Sequence, residues 1–278
     1  MKEISEIKKY TLANREAWNE AMPKHQIVKK DYWDEQFLKH GFCALNEIEL
    51  SYWELMGVKG KDIAHLCCNN GIELLSLKNL GAGRCTGFDI CDAAVEEAIQ
   101  RAKKSSIDCE FIRTDVFDIP AEYNNKYDIV YITVGALIWI PDLQLFFKKA
   151  SDLLRKDGHL FIYEEHPFVM MFDDDLTICQ KPGEKEEENI LKVKYPYFKE
   201  DAWIDNSGID YIGKTIYEGK TNYVFTHTMS DIITAIIDNS IEIKLFKEFS
   251  DDITNNMNYF EKTGLRVPLS YILIGDKK

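Results

Sequence analysis

The residue types with the clearest chemical potential in this sequence are an acid and a short turn that contains a glycine. Apolar residues from Ile63 lead into the turn at residues 67–71, and the next apolar stretch ends in Asp89. In an open parallel sheet this order places turn amides beside a carboxylate about 20 residues further on, at the edge where ligands bind. A carboxylate at that spacing can accept both hydrogen bonds of a ribose diol. The spacing therefore predicts a site for a cofactor that carries a nucleoside.

The turn itself indicates which nucleoside cofactor the site would bind. A dinucleotide site needs glycines at three fixed positions, so that the backbone can approach a pyrophosphate. Cys67 and Asn69 occupy the first two of these positions, and only Gly71 is a glycine. S-adenosylmethionine has no phosphate, so its turn tolerates short side chains, and Asn readily adopts positive φ. These residues favour S-adenosylmethionine. A nicotinamide-dependent oxidoreductase of similar topology stays an alternative that the missing glycines oppose.

Predicted strands and helices alternate through the first part of the chain. Amphipathic helices are expected over residues 72–80, 93–104 and 142–155, and further strands over residues 109–116, 127–133 and 159–163. Strands that alternate with helices at this spacing form a parallel sheet with helices on both faces. The sequence therefore predicts an α/β, doubly wound fold, with the acids Asp89 and Asp115 at strand ends.

Five short motifs follow one another in a fixed order: the turn at residues 67–71, Gly87-Phe88-Asp89, Thr114-Asp115-Val116, and residues 127–130 and 153–158. In this order they resemble the class I S-adenosylmethionine-dependent methyltransferases, a family with a Rossmann-like sheet of seven mostly parallel strands. Glu165-His166-Pro167 and residues 135–142 are similar to a large bacterial branch thought to act on small molecules. The resemblance covers nearly the whole chain. It implies transfer of a methyl group from S-adenosyl-L-methionine to a small-molecule acceptor.

The resemblance also implies which residues bind the cofactor. They follow or end the first four strands: His65, Cys67, Asn69, Gly71, Asp89, Ile90, Asp115, Val116 and Thr133. Asp89 is expected to hold the ribose hydroxyls, Asp115 to meet the adenine edge, and the turn to border the methionine end. His65 is expected near the methionine amino or carboxylate group, although the family usually has an acid at this position.

One histidine is a candidate general base. His166 follows the fifth strand directly after Glu164 and Glu165, and a neighbouring carboxylate could orient its ring. A base is needed only if the acceptor must lose a proton. The alternative is that His166 and Pro167 only shape the loop that follows.

The remaining residues form three segments around the predicted core at residues 59–167, within a single domain. Residues 1–58 are rich in Trp and Tyr and are expected to form a helical cap over the cofactor mouth. Residues 229–278 are expected to supply a helix and a strand pair, with the last strand antiparallel to the fifth by resemblance. Residues 168–228 form a long insertion with acidic runs and many aromatic residues. We expect this insertion to be a substrate lid, the alternative being a small β-rich subdomain packed by its aromatics.

Composition limits the partners. The formal net charge of −13, from 47 acidic and 34 basic residues, opposes binding to nucleic acid. An odd number of scattered cysteines, without a signal peptide or a membrane-spanning apolar run, predicts a cytoplasmic protein that does not bind membranes. No Cys or His pair has the spacing of metal ligands, so no metal is expected. The sequence identifies neither the acceptor nor the oligomeric state. Because the turn is altered, a protein that binds S-adenosylmethionine or S-adenosylhomocysteine without turnover stays a second alternative.

Overall fold

The computed structural model of the chain describes residues 2–172, 193–213, 217–254, 257, 260 and 263–278. Its strands are β1 (Ile63–Leu66), β2 (Cys85–Asp89), β3 (Glu110–Arg113), β4 (Tyr127–Thr133), β5 (Leu154–Glu165), β6 (Trp203–Asp205), β7 (Asn222–Val224), β8 (Ile241–Phe249) and β9 (Ser270–Lys277). Seven of them form one sheet in the order β3-β2-β1-β4-β5-β9-β8. The β1 to β5 pairs are parallel, whereas β9 is antiparallel to β5 and to β8. The predicted seven-stranded, mostly parallel sheet is confirmed.

Helices cover both faces of this sheet. They are α1 (Ile4–Phe37), α2 (Glu47–Met56), α3 (Ile72–Asn79), α4 (Asp92–Ser105), α5 (Leu143–Leu153) and α6 (Met229–Asp238). Phe146 of α5 and Ile236 of α6 belong to the apolar core on one face, and Trp53 of α2 and Leu75 of α3 to the core on the other. Every residue of β1 is buried, as expected for a parallel strand covered on both sides.

The third strand is shorter than the sequence predicts. It ends at Arg113 instead of continuing through residue 116. Asp115 accepts a hydrogen bond from the Phe117 amide at 3.1 Å and caps a short 3-10 turn, Val116–Asp118. Asp115 therefore lies just beyond the end of β3 and fixes the backbone of the turn that follows.

The boundary between α5 and β5 also differs from the prediction. The helix ends at Leu153 and the strand begins at the next residue, whereas the sequence predicts a helix through residue 155. Arg155 donates to Asp128 at 2.8 Å and to Asp62 at 2.7 Å. These two ion pairs hold Arg155 against the amino end of the sheet, so the residue is extended instead of helical.

Helix α1 is 34 residues long and lies across the carboxyl edge of the sheet. Arg15 donates through Nε and Nη2 to the two carboxylate oxygens of Asp92 on α4, at 2.8 and 2.9 Å. The Asn14 side chain exchanges two hydrogen bonds with the backbone of Tyr223, at 2.9 and 2.7 Å. Helix α1 is thus tied both to the core of the fold and to β7.

The described part of the insertion contains little regular structure. Strands β6 and β7 pair in a two-stranded antiparallel sheet, and Trp203 Nε1 donates to Thr226 Oγ1 at 2.9 Å. Both acidic runs of the insertion, residues 173–175 and 184–188, lie outside the described residues. The stretch at residues 209–212 approaches α1, where His25 Nε2 lies 2.7 Å from the Ile209 carbonyl oxygen.

Candidate active site

A cavity of about 480 Å³ lies at the carboxyl ends of β1 to β4. Its floor is formed by the turn at residues 67–70 and by the residues that follow β2, β3 and β4, and its cover by α1 and residues 209–212. The volume lies within the range of pockets that bind small ligands. Of the predicted cofactor residues, seven line this cavity: Cys67, Asn69, Asp89, Ile90, Asp115, Val116 and Thr133.

The turn after β1 has positive φ at three positions, two of which are not glycines. Cys67 and Asn69 have φ of 55° and 46°, and Gly71 has φ of 74°. Asp89 Oδ2 accepts a hydrogen bond from the Asn69 amide at 2.8 Å, and Oδ1 accepts one from the Cys91 amide at 2.8 Å. The acid at the end of β2 therefore supports the turn and also faces the cavity. Gly71 itself does not line the cavity; it precedes α3, and a Cβ there would collide with Phe111.

Glu73 is a cavity residue that the sequence reading missed. It lies in the first turn of α3, and burial raises the pKa of its carboxyl group. In a dinucleotide site the pyrophosphate binds at this helix N-terminus. A carboxylate there repels phosphate and suits an ammonium group such as that of a methionine. The residues present therefore fit S-adenosylmethionine better than a dinucleotide.

Asp115 connects the site to α1. Its Oδ2 atom accepts hydrogen bonds from Lys8 Nζ and Thr11 Oγ1, both at 2.7 Å. The carboxylate is 7% exposed and lines the cavity, as its predicted role at the adenine edge requires. Because Lys8 and Thr11 of α1 already donate to Oδ2, a ligand that contacts Asp115 would do so in addition to these two hydrogen bonds.

His65, which the sequence predicts near the methionine amino or carboxylate group, does not line the cavity. Alternate side chains of a strand point to opposite faces, and His65 points into the aromatic core, 4.6 Å from the Tyr131 ring. Its exposure is 0%, and burial lowers its pKa to about 3. Nε2 lies 3.1 Å from Oγ1 of Thr133, which does line the cavity. The ring can therefore affect the cavity only through Thr133.

His166, the predicted general base, also lies outside this cavity. Nδ1 accepts a hydrogen bond from the Phe168 amide at 3.1 Å, and Nε2 is 3.2 Å from Glu248. Both ring nitrogens are thus engaged, and burial lowers the pKa of the ring. The geometry favours the alternative, in which His166 caps the 3-10 turn Pro167–Met171 and shapes the loop.

Glu164 has a structural role that the sequence did not reveal. Its carboxylate accepts hydrogen bonds from the backbone amides of Gly135, Ala136 and Leu137, the last two at 3.0 and 3.1 Å. Burial raises its pKa to about 7, against the opposite effect of these amides. The loop that follows β4, which lines the cavity, is therefore fixed from β5.

Aromatic rings form another part of the cavity wall. Trp18 on α1 lies 5.4 Å from Trp139 and 6.3 Å from Tyr211 between ring centroids, in edge-to-face arrangements. His25 lies 4.8 Å from Tyr211. The α1 residues at this wall, Thr11, Asn14, Trp18, Met22 and His25, recur every three or four positions, which is the sequence signal that could have identified them.

A doubly wound sheet with a turn after β1 and an acid after β2 defines a class of proteins that bind nucleosides or nucleotides. Within that class, residues 63–158 match the family described as methyltransferase domain. The chain is similar to ubiquinone biosynthesis O-methyltransferase of Proteus mirabilis, with 26% identity over 140 residues that cover 50% of this chain and 56% of that protein. It is also similar to ribosomal protein L11 methyltransferase of Thermosipho africanus, with 31% identity over 99 residues, or 36% of this chain and 35% of that protein. The chain thus spans a little over half the length of the first of these relatives.

Solved structures show the same fold. A putative S-adenosylmethionine-dependent methyltransferase from Listeria monocytogenes superposes with a TM-score of 0.59 at 20% identity, over 83% of this chain and 96% of that one. Geranyl diphosphate C-methyltransferase from Streptomyces coelicolor, in complex with S-adenosyl-L-homocysteine, gives a TM-score of 0.54 at 13% identity, over 83% of this chain and 79% of that one. The methyltransferase domain family thus matches residues 63–158, and the chain has the class I S-adenosylmethionine-dependent methyltransferase fold. The resemblance carried by the five motifs is confirmed.

Two further observations concern the described residues only. None of their helices combines the length and apolar character needed to cross a membrane. Over the same ranges, no cluster of three or more His, Cys, Asp or Glu side chains could hold a metal ion.

Proposed function

We propose that this protein transfers the methyl group of S-adenosyl-L-methionine to a small organic acceptor. The observation that carries the proposal is that Asp89 and the turn at residues 67–70 lie together at the floor of one cavity. The family match and the shared fold support the same activity.

The charge of the cavity supports this cofactor. Among the residues that the structure describes, five carboxylate side chains and two lysines line it: Glu73, Asp89, Glu97, Asp115 and Glu165, with Lys29 and Lys30. Glu97 and Asp115 pair with Arg101 and Lys8, which leaves three carboxylates against the two lysines. S-adenosylmethionine carries a positive sulfonium, whereas a nicotinamide dinucleotide carries a negative pyrophosphate. An excess of carboxylates favours the former and opposes the latter.

The cofactor supplies an activated methyl group, so the protein has mainly to align an acceptor and exclude water. Asp89 would bind the ribose and Glu73 the methionine ammonium group. Helix α1 lies over the cavity, with Trp18 in its wall. The loop after β4, fixed by Glu164, borders the space where an acceptor would lie.

The names of the relatives do not agree on an acceptor. They refer to ubiquinone biosynthesis, to ribosomal protein L11 and to geranyl diphosphate. A small organic acceptor is proposed because the cavity has a volume of about 480 Å³ and is partly covered by α1 and residues 209–212. The excess of carboxylates favours a neutral or cationic acceptor over an anionic one.

Calorimetric titration with S-adenosylmethionine, S-adenosylhomocysteine and NAD tests the cofactor. We expect low-micromolar binding of the first two and none of NAD. Asp89→Asn should weaken that binding by tenfold or more, about 1.4 kcal/mol, whereas the exposed control Asp108→Asn should leave it unchanged. A wild type that binds neither methionine derivative, or prefers NAD, would refute the proposal. Binding without turnover on any small acceptor would instead support the non-catalytic alternative.

A further inference from the structure

A histidine on α1, not used above, lines the same cavity. His25 is 4% exposed, and its ring is 4.8 Å from Tyr211 and 5.9 Å from Trp18 between centroids. Trp18 in turn contacts Trp139 across the cavity wall. The imidazole therefore lies beside a set of aromatic rings, in a site where planar molecules can be enclosed.

The partners of His25 determine its tautomer. Nε2 lies 2.7 Å from the carbonyl oxygen of Ile209, which can only accept a hydrogen bond, so Nε2 carries the hydrogen. Burial lowers the pKa of the ring, which keeps it neutral near pH 7. Nδ1 has no hydrogen-bond partner within the described part of the chain. Among the described residues, Nδ1 thus keeps its lone pair unused on a side chain that lines the cavity.

The charges around His25 allow it to take up a proton. Asp210 Oδ1 is 3.6 Å from Nε2, and Asp210 and Glu97 of α4 raise the pKa of the ring. Lys29 on α1 lowers that pKa, as burial does. The phenol of Tyr211 is neutral near pH 7, since its pKa is raised. An imidazolium would keep its Nε2 hydrogen bond to Ile209 and gain from the nearby Asp210 carboxylate.

We propose that His25 is the general base of the methyl transfer, and that the acceptor is a small, uncharged aromatic hydroxyl compound held among Trp18, Trp139 and Tyr211. The proposal rests on the proposed function. Nδ1 takes the hydroxyl proton while the acceptor oxygen forms a bond to the methyl carbon. The carbon–sulfur bond breaks with its electron pair on sulfur, which leaves S-adenosylhomocysteine and the methyl ether. The proton on Nδ1 passes to solvent after product release.

The first test compares wild type, His25→Gln and the control His166→Gln, with catechol and thiophenol as probes. Gln can still donate to the Ile209 carbonyl but has no basic nitrogen. Thiophenol ionises near neutral pH and needs no base. We expect kcat for catechol to fall about 10²- to 10⁴-fold in His25→Gln. Thiophenol turnover and the Kd for S-adenosylmethionine should change by less than about threefold, and His166→Gln should resemble wild type.

The pH profile separates a base from a residue that only positions the acceptor. For wild type, kcat with catechol should decline as the pH falls below the ordinary histidine value of 6.5, because the pKa of His25 is lowered. That acidic limb should be absent in His25→Gln. A variant that changes only KM, or that keeps the limb, would overturn the assignment.

A second measurement does not depend on turnover. Long-range ¹⁵N–¹H NMR of the protein loaded with S-adenosylhomocysteine should show His25 as the neutral Nε2–H tautomer, and catechol should shift the Nδ1 resonance. A protonated Nδ1 would overturn the role as base. A wild type that binds S-adenosylmethionine but methylates no phenol or catechol would overturn the acceptor class. Failure of the proposed function would differ from both, because S-adenosylmethionine would not bind at all.

Discussion

The carboxylate of Asp89 and the backbone amide of Asn69 lie 2.8 Å apart, so the acid that ends β2 stabilises the turn that follows β1. Cys67 and Asn69 adopt φ of 55° and 46° without being glycines. The left-handed conformation costs an ordinary residue about 1 to 2 kcal/mol, and the charge-assisted bond from Asp89 offsets part of that cost. The missing glycines are thus compensated by the residue that would bind the ribose.

Asp89→Ala should have two effects that can be measured separately, one on stability and one on cofactor binding. The free energy of unfolding should fall by about 2 kcal/mol, because the amides of Asn69 and Cys91 lose their acceptor, and S-adenosylmethionine binding should be lost. Adding Asn69→Gly should recover part of the stability, since glycine adopts positive φ freely, but should not recover binding. Urea unfolding and calorimetry check the two effects. Recovered binding in the double variant would mean that Asp89 acts only through the turn.

Arg101 should be essential to the position of α1. It is 1% exposed and donates to Asp34 of α1 at 3.1 Å, to the Asn70 carbonyl at 2.9 Å and to Glu97. Arg101→Met removes the cation paired with the buried carboxylate of Glu97 and one of the three paired with Asp34, which keeps Lys30 and Lys104. The free energy of unfolding should therefore fall by about 3 to 5 kcal/mol.

The matched control for Arg101 is Arg84→Met. Arg84 is 46% exposed and pairs with Asp62 at 3.1 Å, so its loss should cost less than about 1 kcal/mol. Urea unfolding of both variants gives the comparison. Equal costs would show that the buried ion pairs do not anchor α1.

The order of strands and the two acids of the site could be predicted because they depend on local patterns. Helical and strand periodicity marked the core, and the spacing from Gly71 marked Asp89. The partners of His25 and Glu164 depend on contacts between distant segments: His25 meets Ile209 across 184 positions, and Glu164 meets Ala136 across 28. No local pattern encodes such a contact. The sequence did not predict where the His65 ring points, because a position next to the turn does not show which face of β1 the side chain occupies.

Glu164 should make stability depend on pH. Burial raises its pKa from 4.5 to about 7, so the folded state holds this proton where the unfolded state has lost it. The part of the free energy of unfolding that Glu164 contributes should therefore decrease, by at most about 3 kcal/mol, as the pH rises from about 4.5 to about 7. Because the lowered pKa of His65 acts in the opposite direction over part of this range, the contribution is the difference between wild type and Glu164→Gln, and the exposed control Glu96→Gln should match wild type. Unfolding measured in urea at intervals across this range gives the sign, and a difference that rises with pH would show that the loop amides outweigh burial.

His65 should matter for acid stability and not for cofactor binding. Its pKa falls from 6.5 to about 3, so the unfolded state binds a proton that the folded state refuses. The stability that His65 contributes, measured as the difference between wild type and His65→Leu, should decline as the pH falls below about 6.5, by up to about 3 kcal/mol at pH 4. The exposed control His40→Gln should match wild type at each pH.

The same variant tests the position of the ring against the role that the sequence predicts for it. At pH 7, His65→Leu loses the hydrogen bond to Thr133, at a cost of about 1 kcal/mol. Because His65 does not line the cavity, the Kd for S-adenosylmethionine should stay within about threefold of wild type, or about 0.7 kcal/mol. Urea unfolding at pH 4 and pH 7, with calorimetry at pH 7, separates the two roles. A tenfold rise in Kd would place the ring at the methionine end of the cofactor after all.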